Sequence, residues 1–230
     1  MNWETAASFD WSGPISNRAA KEEIGRRLAA NVKDGDVIGV GSGSTSYLAI
    51  RAIADHVREK GLRVSAICTS PEVTLACAAA GLPVTSLLQQ RPDWAFDGAD
   101  EVDPEQNLIK GRGGAMFLEK VVFQASPKNF VLADQSKMVS RLGEKFPVPV
   151  EVLPIALHVA EQGLLRLGAV EIAMRLAVKK DGPVLTENGN IILDVRFAEI
   201  GKSMERDIKS ITGVIESGLF IGFQVEVLIA

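Results

Sequence analysis

The chain has 230 residues, of which 47% are hydrophobic, and this suits one large domain or two small ones. A net charge of −4 with mixed signs gives no long basic stripe, and one Tyr with three Trp leaves few aromatic rings for stacking bases, so we expect no nucleic-acid partner. No apolar run approaches the roughly 18 residues of a membrane span. The first residues also lack a basic start followed by an apolar stretch, so we expect a cytoplasmic protein without a membrane partner.

Cysteine and histidine are both scarce. Cys68 and Cys77 lack metal-type or redox spacing, so we expect both to be reduced packing residues. With only His56 and His158, a transition-metal site would need many carboxylates or thiols in place of imidazole. The composition therefore favours catalysis by Asp, Glu and Lys, with no metal and no cofactor.

Helical and strand patterns alternate from residue 16 to residue 150. Glycines end the first three predicted helices, and Ser70 caps the third, with Pro71 at its first position. In chain order the predicted elements are helix 16–35, strand 36–40, helix 47–61, strand 62–68, helix 71–80, strand 93–96, helix 113–126 and strand 129–134. Such alternation is typical of a parallel sheet with helices on both faces.

Residues 146–223 follow a different order and are predicted to form a smaller α+β domain. An Asn188-Gly189 hairpin turn separates two of its strands. The predicted elements are strand 148–153, helix 155–169, strands 170–178, 183–187 and 190–195, helix 203–211 and strand 214–221. This pattern is close to a split β-α-β-β-α-β unit with one extra strand. The last predicted strand, 224–229, is expected to return to the first sheet.

Polar residues follow four strands of the predicted parallel sheet. Ligands of such sheets gather at the carboxyl ends of the strands, so we expect these residues to converge on one edge. They are Gly41 to Ser46, Thr69 with Ser70, Asp97 to Asp100, and Ser136 with Lys137.

The loop GSGSTS offers backbone N–H groups, the positive end of a helix dipole, and the hydroxyls of Ser42, Ser44, Thr45 and Ser46. These groups suit a phosphate, although a turn that only caps a helix fits the same residues. A dinucleotide site is disfavoured because Ser46 stands where the third Gly of the GxGxxG pattern belongs. A nucleotide P-loop is excluded because no Gly-Lys-Ser or Gly-Lys-Thr follows.

Residues 97–120, DGADEVDPEQNLIKGRGGAMFLEK, concentrate charged side chains around a glycine turn. Closely spaced carboxylates perturb one another's ionisation, and such groups carry out proton transfer near neutral pH. A solvated acidic loop followed by an ordinary helix is the alternative. The position of Glu119 favours a catalytic segment over a solvated loop, because a carboxylate on the apolar side of a helix suits a general base. Its neighbours one turn away are Ala115, Met116, Val122 and Phe123.

Six segments together resemble ribose-5-phosphate isomerase of type A, and the resemblance covers almost the whole chain. They are GSGST, DGADEVDP, NLIKGRGGA with the EK beyond it, VLADQSK, FPVPVEV and GPVLTENGN. The resemblance implies interconversion of ribose 5-phosphate and ribulose 5-phosphate in the pentose phosphate pathway. It also implies an α/β fold with a Rossmann-like domain, residues 1–145 with 224–230, and a ferredoxin-like domain, residues 146–223. The implied assembly is a homodimer or a dimer of dimers.

The resemblance also implies roles for individual residues. Glu119 would be the reacting carboxylate, Asp97 the ring-opening group, and Asp100 and Lys110 supporting catalytic groups. Substrate and phosphate contacts would come from Lys21, Ser42, Gly43, Ser44, Thr45, Gly111, Gly113, Gly114 and Lys137. The chain departs from the common family pattern at Ser42 in place of Thr, Arg112 in place of Gly, and Leu118 in place of Arg.

Two alternatives use the same residues differently. A sugar-phosphate-sensing module on a related scaffold would keep the phosphate loop and lose the base. A coenzyme A transferase would use Glu119 as a nucleophile and form a covalent thioester. Because Glu119 and Lys110 are both present, catalysis of sugar-phosphate isomerisation is the prediction that we favour.

Overall fold

A computed structural model describes residues 9–229. The helices are α1 (Arg18–Ala29), α2 (Gly43–Lys60), α3 (Pro71–Ala80), α4 (Met116–Ala125), α5 (Leu157–Arg166) and α6 (Met204–Lys209). The strands are β1 (Val37–Val40), β2 (Ser65–Cys68), β3 (Val84–Thr85), β4 (Trp94–Gly98), β5 (Glu101–Val102), β6 (Leu108–Ile109), β7 (Asn129–Ala133), β8 (Val148–Val152), β9 (Ala169–Met174), β10 (Ile191–Phe197), β11 (Val214–Ser217), β12 (Leu219–Phe220) and β13 (Glu226–Ile229). Single 3₁₀ turns cover Gln135–Lys137 and Pro154–Ala156.

The chain is divided into two compact units. Unit 1 holds the described residues up to Gly98, then 118–136, and those from Gln224 onward; unit 2 holds 99–117 and 137–223. These units differ from the predicted domains in residues 99–117 and 137–145, which belong to unit 2. The domain ranges 1–145 with 224–230, and 146–223, therefore stay predictions.

Unit 1 is built on a six-stranded sheet in the order β13-β7-β4-β1-β2-β3, with every neighbouring pair parallel. The predicted parallel sheet and the return of the last strand to it are confirmed. The short edge strand β3 is absent from the sequence prediction, because its two residues form no apolar run. Side chains of Ile38 and Val40 join the core that α1, α2 and α3 cover. Gly39 points to the other face, where Val122 of α4 packs against it.

Several element ends differ from prediction. The first helix ends at Ala29, well before Gly35. The side-chain amide of Asn31 donates to the carbonyls of Arg27 and Leu28 at 3.2 Å each, and these bonds cap the last turn. The second helix begins at Gly43, so most of the predicted loop is its first turn. Ser70 caps α3 by accepting from the Val73 amide at 3.2 Å, as predicted.

Unit 2 contains a four-stranded antiparallel sheet in the order β11-β8-β10-β9. With α5 after β8 and α6 after β10, it is the predicted split β-α-β-β-α-β unit. The prediction of an extra strand over 183–187 is wrong, because this stretch forms only isolated bridges at Pro183 and Leu185. The predicted strand 214–221 is divided at Gly218 into β11 and β12, and β12 joins β6 and β5 in a separate sheet.

Two further findings bear on the predicted protein class. Within residues 9–229, no helix is long and apolar enough to cross a membrane. Cys68, at the end of β2, and Cys77, in α3, are both free thiols, as predicted. The Cys77 thiol donates a hydrogen bond to Cys68, and this bond together with burial raises the pKa of Cys77 above its ordinary value.

Candidate active site

The carboxyl ends of three neighbouring strands in unit 1 lie at the same level. Val40 pairs with Cys68 on one side and with Phe96 on the other, so the residues that follow these strands are brought side by side. The amide of Gly41 donates to the Phe96 carbonyl at 2.8 Å. A Cβ atom on Gly41 would lie 2.0 Å from Asp97 Cγ, so only glycine fits beside this carboxylate.

Glu119 lies on α4 and is 2% exposed. Ser42 Oγ donates to Glu119 Oε1 at 2.7 Å, a distance typical of a charge-assisted hydrogen bond. The four apolar neighbours of Glu119 along the helix are buried as well, namely Ala115, Met116, Val122 and Phe123. The carboxylate therefore lies on a buried part of α4 and accepts a hydrogen bond from a hydroxyl donor in the turn after β1.

Asp97 is 1% exposed and is held by donors on one of its oxygens. Ser46 Oγ donates to Asp97 Oδ1 at 3.3 Å, and the Gly98 amide donates to the same atom at 2.7 Å. Ser46 is fully buried and its hydroxyl donates to Asp97, whereas the other three loop hydroxyls belong to partly exposed residues. A phosphate contact for Ser46 stays a prediction.

Lys21 lies on α1 and is only 5% exposed. Its ammonium donates to Ser44 Oγ at 3.2 Å and to Ser16 Oγ at 3.5 Å. Ser44 and Thr45 stand partly exposed in the first turn of α2, where unpaired amides and the helix dipole favour an anion. The structure thus brings together Lys21 and Ser44, two of the predicted phosphate ligands, at the N-terminus of α2.

Asp134 is a candidate active-site residue that the sequence analysis did not select. It is 5% exposed and accepts hydrogen bonds from the amide and the hydroxyl of Ser136. Burial raises its pKa, but these bonds, a bond from Asn17 and the charge of Lys21 outweigh burial and hold the pKa below its ordinary value. An open cavity of about 430 Å³ adjoins it, lined by Asn17, Arg18, Ala19, Ala20, Asp134, Gln135 and Ser136. Its position directly after a strand, like that of Asp97, was the available signal.

The other predicted catalytic residues belong to unit 2. Lys110 is 3% exposed, its amide donates to the Gly218 carbonyl at 2.8 Å, and its ammonium lies 5.5 Å from the centre of the Phe220 ring. Asp100 is partly exposed and accepts from the Arg112 amide at 3.2 Å. Lys110 and Asp100 therefore flank the start of the glycine turn.

The glycine turn of unit 2 depends on backbone conformations that favour glycine. Gly111 has a φ of 92° and Gly114 a φ of 95°, while Gly113 is exposed. Arg175, paired with Asp194, donates to the carbonyls of Gly111 and Arg112 at 2.9 Å each. Sequence reasoning missed Arg175, which orients these carbonyls from 64 and 63 positions away.

Lys137 ends the 3₁₀ turn after β7 and is partly exposed. Its ammonium lies 5.3 Å from the centre of the Phe146 ring, which is a cation–π distance. Across residues 9–229, no group of three or more His, Cys, Asp or Glu side chains is arranged to hold a metal ion.

Comparison with known proteins decides the family. The family model for ribose 5-phosphate isomerase A (phosphoriboisomerase A) matches residues 65–230. The chain belongs to the ribose-5-phosphate isomerase A family. The resemblance inferred from the six sequence segments is therefore confirmed.

Individual relatives of this family cover nearly the whole chain. Ribose-5-phosphate isomerase A of Methanothermobacter thermautotrophicus is 44% identical over 204 residues, 88% of this chain and 89% of the relative. The solved structure of ribose 5-phosphate isomerase A from Methanocaldococcus jannaschii is 43% identical, with a TM-score of 0.89, and the match covers 93% of this chain and 95% of that one. A solved D-ribose-5-phosphate isomerase in complex with phospho-erythronic acid is 36% identical, with a TM-score of 0.89 and coverage of 94% and 96%. The predicted α/β fold class is thereby confirmed.

Proposed function

We propose that the protein interconverts D-ribose 5-phosphate and D-ribulose 5-phosphate, with Glu119 carrying a proton between C2 and C1. The observation that carries this proposal is the turn after β1, where Ser42 bonds to Glu119 and Ser44 bonds to Lys21. Two residues of chain span at most about 7 Å, comparable to the distance from the phosphate to C2 in an open-chain pentose phosphate. A phosphate held at Ser44 therefore keeps the reacting carbons within reach of Glu119.

The isomerisation needs a single base for both proton transfers. Ionised Glu119 removes the proton from C2, the electrons of the C–H bond form a C1–C2 double bond, and negative charge moves onto the former carbonyl oxygen at C1. Glu119 then returns the proton to C1, the hydroxyl proton at O2 moves to O1, and C2 becomes the carbonyl carbon. The same carboxylate serves both transfers, so the reaction needs neither oxidant nor cofactor.

The other predicted residues have supporting roles in this proposal. Lys110, with amides of the turn at Gly111, Gly113 and Gly114, stabilises the oxyanion of the enediolate. Asp97 moves the proton of the ring oxygen when the furanose opens, and Asp100 holds Lys110 or a substrate hydroxyl. Phosphate binding, which fixes the open-chain sugar before proton transfer, falls to Lys21, Gly43, Ser44, Thr45 and Lys137.

The complex of a solved relative with phospho-erythronic acid supports this chemistry. That molecule is a phosphorylated four-carbon acid, and its carboxylate spreads negative charge over two oxygens as an enediolate does. A site that binds it combines phosphate recognition with stabilisation of such charge. For this chain, the pentose phosphate pathway, the cytoplasmic location and assembly as a homodimer or dimer of dimers stay predictions.

The test is a direct assay of purified protein with ribose 5-phosphate and excess chelator, following ketose formation. We expect turnover under these conditions, because the proposed chemistry uses only side chains. Glu119→Gln protein purified in parallel controls for a contaminating isomerase. Absence of ketose with the wild type, or equal rates for both proteins, would contradict the proposal. A thioester trapped on Glu119 in the presence of an acyl coenzyme A would favour the transferase alternative instead.

A further inference from the structure

Ser42 occupies the N-cap position of α2, yet its hydroxyl does not cap the helix. The N-cap Ser70 of α3 behaves in the ordinary way and accepts from the Val73 amide. The Ser42 hydroxyl instead donates to Glu119 Oε1, a residue 77 positions away. The two serines differ in what their hydroxyls bind, although both have extended N-cap backbones with φ of −101° and −156°.

The bond to Glu119 has a defined direction. An ionised carboxylate only accepts hydrogen bonds, so the Ser42 hydroxyl is the donor. Its backbone follows Gly41, which is anchored by the bond from its amide to Phe96, so the donor stands on the rigid end of β1. A donor in this place pins Oε1 and limits rotation of the carboxylate about its last single bond.

We propose that Ser42 is a positioning residue, which orients the Glu119 carboxylate for proton transfer. This inference rests on the proposed function, since it presumes that Glu119 is the base. It differs from the substrate-hydroxyl contact that the family resemblance implies for Ser42. A substrate contact acts mainly on KM, whereas an orienting bond acts on the proton-transfer step and therefore on kcat.

The experiment compares Ser42→Ala and Ser42→Thr with the wild type. We measure kcat and KM with ribose 5-phosphate and with the same substrate deuterated at C2, and thermal unfolding of each protein. Ser42→Ala is expected to lower kcat about tenfold to a hundredfold, the effect of one hydrogen bond to a charged group, with KM within about twofold. Its deuterium isotope effect on kcat is expected to rise, because proton transfer becomes more rate-limiting. Ser42→Thr keeps the hydroxyl and is expected to retain kcat within about threefold.

Ser86→Ala is the matched control, because it removes a serine hydroxyl that bonds to Gln89 in the loop after β3. It is expected to leave kcat, KM and the isotope effect unchanged. If the wild type is active and Ser42→Ala raises KM without lowering kcat, the positioning role of Ser42 is wrong, while the proposed function stands. Equal kcat losses in the Ala and Thr variants would overturn it too, because the shape of the turn would then matter more than the hydroxyl. An inactive wild type would overturn both the inference and the proposed function.

Discussion

Gly41 and Asp97 are in contact at the ends of the adjacent parallel strands β1 and β4, where a Cβ on Gly41 would lie 2.0 Å from Asp97 Cγ. The pairing of Val40 with Phe96 sets this approach, because it places the next residue of each strand side by side. The space that glycine leaves is filled by the carboxylate. The position of Asp97 therefore depends on the absence of a side chain at Gly41.

Gly41→Ala is expected to lower both stability and activity, because the added methyl group displaces the Asp97 carboxylate. We expect a loss of about 1–3 kcal/mol in the free energy of unfolding, as for other overpacked sites, and a fall in kcat. Urea unfolding and the isomerase assay measure the two effects. Gly201→Ala is the control, since no described atom lies within 4 Å of a Cβ at that exposed position. Equal behaviour of the two variants would contradict the close approach.

Glu119→Gln is expected to abolish most turnover while leaving the fold and substrate binding nearly intact. The amide is not a base, so kcat should fall about a thousandfold or more. Its oxygen still accepts the Ser42 hydrogen bond, which preserves the local geometry. Calorimetric binding of ribose 5-phosphate checks affinity, and Glu59→Gln, at an exposed site, is the control. Near-wild-type turnover in Glu119→Gln would rule out the assigned role.

Lys21→Gln is expected to impair the phosphorylated substrate selectively. Loss of the buried ammonium beside Ser44 should raise KM for ribose 5-phosphate about tenfold to a hundredfold, as for a lost hydrogen bond to a charged group. The slow reaction of unphosphorylated ribose should not change. Steady-state kinetics with both sugars make the comparison, and exposed Lys33→Gln is the control. A parallel loss with both sugars would indicate a general structural defect and not a phosphate contact.

Asp134→Asn is expected to destabilise the protein in a pH-dependent way. The pKa of Asp134 is lower in the folded protein than its ordinary value, so its charge stabilises the fold above the unfolded pKa of about 3.9. This contribution is lost as pH falls through the folded pKa. The variant should therefore be less stable by about 1–3 kcal/mol at pH 7, and the difference should shrink below pH ~4. Urea unfolding across this range measures it, and a gap that widens on acidification would refute the assignment.

Elements with local signals were predicted well. The third helix was predicted from its first residue to its last, because Ser70, Pro71 and Gly81 act on the backbone beside them. The strands β1 and β7 were found from their buried apolar runs. The end of α1 was missed because the side chain of Asn31 terminates it while the helical pattern continues. The stretch 183–187 has strand-forming residues, but strand formation also needs a partner, and only isolated bridges form there.

The family, the alternation of elements and the residue types of the site follow from the amino-acid sequence alone, because these depend on motifs and on neighbours along the chain. The hydrogen-bond partners of the polar groups in the site depend on the folded chain. The Ser46 hydroxyl donates to Asp97, 51 positions away, and the Ser42 hydroxyl donates to Glu119, 77 positions away. Such bonds form between parallel strands and helices whose register is set by packing of the whole sheet. Local sequence contains no record of that register, so Ser46, Asp134 and Arg175 acquired their roles only in the folded protein.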